Sequence, residues 1–148
     1  MSNQETNDAR RPVCAVIRPH ATYAGRQGLT YEAGISAESV GAQAICMHLL
    51  RLPPEARAHP HLHANHETAI YLLSGRAAMW YGEQLEQHLE MEAGDWLYIP
   101  AGVVHLPYNP GTEDAVAVIA RTDPNEQESV VVRDDLVPPA GDRFEGRS

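Results

Sequence analysis

Five histidines carry most of the chemistry written into this chain. His59, His61, His63 and His66 lie between Glu55 and Gly75, just ahead of Glu67, and His105 follows Pro100-Ala101-Gly102. Side chains two apart on an extended strand point to the same face, so His61 and His63 can grip one ion from one side. A third ligand must come from a distant strand, and His105 is the obvious donor. If the three converge inside a barrel, the chemistry is that of a divalent metal with positions left open for a small molecule.

The scaffold that must bring them together is bounded by length and composition. A chain of 148 residues suits one domain, large enough to bury a core without disulfides or structural metal. With 20 acidic against 11 basic residues and a net charge of −9, it lacks the electrostatic footprint of a nucleic-acid or anionic-membrane binder. Every basic residue is an arginine, so Schiff-base and lysine general-base chemistry are excluded by inventory. Cys14 and Cys46 form neither a disulfide framework nor a zinc-finger spacing. Met1 to Arg11 is polar and does not resemble a signal peptide, and no stretch approaches the ~20 apolar residues of a bilayer span. The expectation is a soluble, cytoplasmic protein with reduced thiols.

Along the chain, short strands alternate with turns. Residues 1–12 read as a flexible arm, Val13 to Arg18 as a first strand, and 19–41 as loops and short strands interrupted by glycines. Ala42 to Leu52 is the longest mostly apolar run and ends at Pro53-Pro54, which predicts a buried strand. Further strands are expected at Ala69 to Leu73, Ala77 to Tyr81, Gln87 to Met91, Trp96 to Ile99, His105 to Tyr108 and Ala115 to Ala120. That rhythm belongs to an all-β sandwich or small barrel over residues 13–121. The tail, 122–148, is rich in Asp, Glu and Pro around one strand-like run, Val130 to Val132, which is a candidate for packing on a neighbouring subunit.

Two stretches of this sequence resemble the motifs of the cupins. The family's second motif is Gly, five residues, Pro-x-Gly, two residues, His, three residues, Asn, and it is matched throughout by Gly94, Pro100, Gly102, His105 and Asn109. The first motif is Gly, five residues, His-x-His, three or four residues, Glu, six residues, Gly. Here it is matched by His61, His63 and Gly75, with Glu55 standing where the opening glycine belongs. Its glutamate is ambiguous. Counted from His63 it is Glu67; counted back from Gly75 the position falls on Thr68. Neighbours on a strand point to opposite faces, so either Thr68 faces inward with Glu67 outside, or a bulge turns Glu67 in as fourth ligand.

The resemblance implies a double-stranded β-helix, or jelly-roll barrel, with His61, His63, His105 and, if inward, Glu67 as metal ligands. The ion would be Zn, Fe, Mn, Ni or Cu, acting as Lewis acid or as an O2-activating centre. An unligated but inward Glu67 would serve as catalytic general base. The functional expectation is a metal-dependent enzyme, a dioxygenase or a non-redox isomerase or lyase, acting on a small oxygen-bearing metabolite. The alternative is a module that binds or senses a sugar or carboxylate without turnover. Homodimers are expected from the resemblance, through the N-terminal strand or Val130 to Val132.

Other residues have bland readings as well as functional ones. His59 and His66 read as rim or solvated loop, or as partners orienting a ligand imidazole. Cys46 and His48 share a strand face suited to core packing. Tyr71, Trp80, Tyr81, Trp96, Tyr98 and Tyr108 read as core or interface aromatics, and Arg76 and Arg121 as exposed arginines that can in principle clamp a carboxylate.

Overall fold

A computed structural model of the chain describes residues 12–18, 22–126 and 129–139. In order they form β1 (Thr22–Ala24), β2 (Thr30–Ile35), a one-turn helix α1 (Ala37–Val40), β3 (Cys46–Leu52), β4 (His61–His63), β5 (Thr68–Ser74), β6 (Arg76–Tyr81), β7 (Gln87–Glu92), β8 (Trp96–Ile99), β9 (His105–Tyr108), β10 (Ala115–Arg121) and β11 (Val130–Val132). The strands make two antiparallel sheets, β1-β2-β3-β10-β5-β8 and β11-β4-β9-β6-β7. This is a jelly-roll β-sandwich, as the turn rhythm predicts.

Alternation of side chains builds the inner face. On β3, Cys46, His48, Leu50 and Leu52 are buried while Met47 and Arg51 are exposed; on β10, Ala115, Ala117, Ile119 and Arg121 are the buried set. Their registers line these residues up in rows across the sheet: Arg121 lies opposite both Cys46 and Thr68, and Thr68 opposite Ile99. Leu50, Leu52, Leu72, Ala117 and Ile119 belong to one apolar cluster on this sheet's inner face. Leu106 and Tyr108 of β9 anchor a second, smaller cluster on the other sheet.

Two expected strands at the ends of the chain have different outcomes. Val13 to Arg18 forms no strand, and all of it but Ile17 is exposed. Val130 to Val132 does form a strand, but β11 pairs with β4 of its own chain. That stretch of the tail is the terminal strand of its sheet, with Val131 exposed. The N-terminal arm and the last residues of the tail lie outside the described residues.

The motif residues that carry no metal chemistry have structural tasks. Asn109, buried at the end of β9, donates from Nδ2 to the carbonyls of Leu52 (2.9 Å) and Glu113 (2.8 Å) and accepts at Oδ1 from the Gly111 amide (2.8 Å). It pins the β9–β10 turn to the end of β3. Asn109→Asp keeps the shape but turns a carboxylate toward two carbonyls, and the expected result is a loss of about 3 kcal/mol in urea unfolding. Gly75, at the β5–β6 turn, has φ +79° and no room for a Cβ, which would run into the Asp114 carbonyl. Glu55, where the first motif has glycine, also adopts a positive φ of 68°. The position thus keeps the left-handed conformation without the residue best suited to it.

Candidate metal centre

The strand that bears two of the histidines is only three residues long, so its placement depends on neighbours. β4 is flanked by β11 on one edge and by β9 on the other, where His61 and His105 are Cα partners. The turn before β9 is tied in too: the Gly102 amide donates to the His63 carbonyl at 2.8 Å. The Pro-x-Gly turn of the second motif is thereby locked onto the His-x-His of the first.

The three imidazoles that the sequence singles out come together. The ligand atoms of His61, His63 and His105 all lie within 4.8 Å of one another, and all three residues are buried. Two nitrogens sharing one ion stand at most about 4.2 Å apart, twice a metal–nitrogen bond of ~2.1 Å, so a movement of well under about 1 Å brings the rings onto one ion. His61 Nδ1–H donates to the His59 carbonyl (2.7 Å) and His105 Nδ1–H to the Val103 carbonyl (2.9 Å). Each carbonyl fixes the tautomer and leaves the Nε2 lone pair available as ligand. Burial, followed by repulsion from the neighbouring imidazole, pushes His61 well below the ordinary histidine pKa and His105 down to about 3. Neutral rings are the form a metal requires. A fourth polar atom, Thr68 Oγ1, is buried beside them without a hydrogen-bond partner among the described residues. Three buried imidazoles, two of them oriented by backbone carbonyls, with an unsatisfied hydroxyl alongside are a donor set that fits a divalent ion.

Glu67 is not part of it. No register shift occurs at Thr68, whose pairing with Arg121 and Ile99 is regular; the one irregularity on β5 lies at its far end, toward Ser74. Strand parity therefore prevails, with Thr68 inward and Glu67 on the exposed face, where its carboxylate accepts from Tyr98 Oη at 2.7 Å. The role of fourth ligand or inward base expected for Glu67 is corrected on this geometry. Glu67→Gln is expected to leave metal content unchanged, as elemental analysis of the two purified proteins would establish.

The surrounding residues sort themselves as follows. His59 projects a largely exposed ring, 3.9 Å from Asp134, and contributes to the cluster through its carbonyl. His66 is buried, its ring centroid 4.5 Å from that of His63 and its Nδ1 3.3 Å from the Ser129 hydroxyl. Cys46 is a buried free thiol, and His48 accepts from the Gly34 amide at 3.3 Å and packs edge-on against Tyr23.

A cavity of about 60 Å³ opens in front of the three rings, walled mainly by aliphatic side chains of β3, β5 and β10. None of the aromatics weighed from the sequence lines it. Tyr31 does, held by a hydrogen bond from the buried Gln27 side chain. Arg121 lines it as well and is only 4 % exposed, with its guanidinium carbon 5.3 Å from the Tyr31 ring centroid. Of the two, Arg121 was legible by parity. Arg121 follows Ala115, Ala117 and Ile119 at two-residue steps, so it must share their inward face.

Comparison with known proteins agrees with this architecture. A model of the cupin domain matches residues 48–120. Among solved structures, a protein provisionally assigned as a sugar phosphate isomerase from Acidithiobacillus ferrooxidans is 23 % identical, with a TM-score of 0.55 over 68 % of this chain and 65 % of its own. Bacillus subtilis oxalate decarboxylase is 22 % identical, with a TM-score of 0.62 over 78 % of this chain and 30 % of its own. The chain thus spans less than two thirds of either protein, and at these identities the likeness is one of fold. No curated protein matches. With the His-x-His of one motif and the histidine of the other on paired strands of a jelly roll, and the domain model spanning both, residues 48–120 of this chain are a cupin domain.

Proposed function

We propose that this protein is a metal-dependent cupin enzyme in which His61, His63 and His105 hold a divalent ion and a small oxygen-bearing metabolite binds beside it. One observation carries the reading: the ligand atoms of three buried imidazoles from two distant motifs lie within 4.8 Å of one another at the wall of an otherwise mostly apolar cavity. A bound ion supplies Lewis acidity, or O2 activation if it is iron. The chain's own residues do the rest. The His59 and Val103 carbonyls hold two rings in one tautomer, and the aliphatic walls keep bulk water away. Thr68 offers a hydroxyl to whatever enters.

The neighbours support the class without choosing the reaction. One is provisionally assigned to isomerisation; the other is a decarboxylase, in one structure of which Mn(II) centres were studied. Elemental analysis of untagged protein purified without chelator tests the proposal directly. Stoichiometric Mn, Fe, Ni, Cu or Zn is expected, and protein that neither retains nor takes up any of these would overturn it. Iron would favour dioxygenase chemistry, zinc a non-redox reaction.

A second reading, a binding module without turnover, is favoured by the outward Glu67, since no carboxylate is among the described residues that line the cavity. Metal and ligand binding with no product from any small oxyacid or sugar would select it. Assembly as a homodimer is part of the proposal. β8 is the terminal strand of its sheet, and Trp96 and Tyr98 stand exposed on it. Light scattering at micromolar concentration should give twice the chain mass. Among the described residues no helix is long and apolar enough to cross a membrane.

A further inference from the structure

Thr68 is the part of the cavity wall whose bonding is left incomplete. It is only 3 % exposed, and its hydroxyl has no hydrogen-bond partner among the described residues. Burying a hydroxyl in that state is costly, because the group gives up its bonds to water and gains none in exchange. Valine has nearly the same shape and would carry no such cost. Strand parity requires an inward side chain at this position but not a polar one. Ile70 and Leu72, the next inward positions on β5, line the same cavity with hydrocarbon.

The place of Thr68 in the fold determines what its hydroxyl can meet. It pairs with Ile99, the last residue of β8, and from there the chain enters the turn whose Gly102 amide is bonded to the His63 carbonyl. The hydroxyl therefore belongs to the end of the cavity lined by His61, His63 and His105. Away from that end the wall becomes aliphatic row by row, with Ile70 opposite Ile119 and then Leu72 and Leu50 on either side of Ala117. Tyr31 joins this part, its hydroxyl already engaged by the Gln27 side chain. One polar end and a long aliphatic remainder suit a ligand with the same asymmetry. At roughly 10–15 Å³ for each water-sized group, 60 Å³ admits on the order of four to six non-hydrogen atoms. Sugar phosphates exceed that size, and along the aliphatic rows the hydroxyls of any sugar would go unpaired.

We infer that the cavity takes a short aliphatic molecule with a single oxygen head, as in simple alcohols and ketones, and that Thr68 recognises the head, its hydroxyl donating to the ligand oxygen while the hydrocarbon lies along the rows of β3, β5 and β10. The chemistry done on such a ligand rests on the metal centre proposed above, whereas recognition by Thr68 is measurable with the ion removed.

Three probes of similar size test this: n-butanol; n-butyl chloride, which puts an apolar group where the hydroxyl was; and glycerol, which is polar throughout. Each is titrated into isotope-labelled wild-type, Thr68→Val and Thr68→Ser protein, chelator-treated and metal-loaded, and binding is read from saturable amide shifts in NMR spectra. The wild type is expected to bind n-butanol more tightly than either other probe in both forms. Thr68→Val is expected to weaken n-butanol about fivefold, the worth of one neutral hydrogen bond, while n-butyl chloride binds at least as well as before. Without ligand that variant should melt about 2–4 °C above the wild type, because the orphaned hydroxyl is gone. Thr68→Ser should keep the preference for the alcohol. Stability and affinity thus move in opposite directions, which a merely structural threonine would not produce. Equal binding of n-butanol and n-butyl chloride to the wild type would overturn the inference without recourse to any variant, and so would tightest binding of glycerol. A Thr68→Val protein that holds n-butanol as tightly as the wild type would overturn it too. A wild type that takes up no metal yet shows the Thr68-dependent preference would sink the metal centre and leave this inference standing; metal uptake without that preference would do the reverse.

Discussion

Replacing His105 by alanine is expected to strip the protein of tightly bound metal, and His61→Ala to do the same from the other motif. Sites of this type bind with roughly 10–16 kcal/mol apparent free energy over about four ligands, so one imidazole is worth on the order of 3 kcal/mol, or a hundredfold and more in affinity. Neither loss can be made good nearby, because Glu67 faces away and donates no oxygen to the cluster. His59→Ala is the informative control. Its ring is exposed and only its carbonyl orients His61, so metal content should survive that substitution. Elemental analysis together with competition against a chromogenic chelator reads all three variants. Stoichiometric metal in both His61→Ala and His105→Ala would mean that the ion, if any, sits elsewhere.

The metal-free protein is expected to lose stability steeply below about pH 6.5. In the unfolded chain the histidines titrate near 6.5, whereas in the fold burial holds His105 down to about 3 and His61 well below its ordinary value. Between those limits the unfolded state binds protons that the folded state refuses. Stability is therefore full above 6.5 and drains away as the pH falls toward 3. At about 1.4 kcal/mol per pH unit, His105 alone accounts for on the order of 5 kcal/mol over that range, comparable with the whole stability of many domains. Thermal denaturation of chelator-treated protein at pH 8, 6.5, 5 and 4 follows the loss. Carboxylates also contribute in acid, so the decisive quantity is the difference from His105→Asn, whose decline should be shallower. Parallel declines would show that His105 carries no such burden. The metal-loaded protein should hold its ion to lower pH than an exposed histidine site would, since protons do not compete for His61 and His105 until far into acid.

Much of this architecture was readable before any coordinates. Turn residues at short intervals and alternating apolar positions identify the strands from Ala69 to Ala120, and two spaced motifs place His61, His63 and His105 around one point. The choice between Glu67 and Thr68 was not readable, because it hinges on a bulge, and bulges are decided by how a strand registers on its partners. β5 registers without one at Thr68. Val13 to Arg18 has strand composition but joins neither sheet, and strand propensity expresses itself only against a neighbouring strand. Arg121 is the opposite lesson. Its parity on β10 announces an inward side chain, but its residue type suggests the surface, and here parity outranks type. Tyr31 had no signal of its own; only the fold brings β2 round to the cavity.

The brevity of β4 has a consequence for how the protein matures. Its partner on one edge is β9 and on the other β11, and both follow it in the chain, β11 ending at Val132 of 148 residues. While the polypeptide is still leaving the ribosome, His61 and His63 emerge first with nothing to hold them in place, and His105 arrives without the frame that orients it. The centre is framed only once β9 and β11 have both been made, so metal acquisition follows the synthesis of both partner strands.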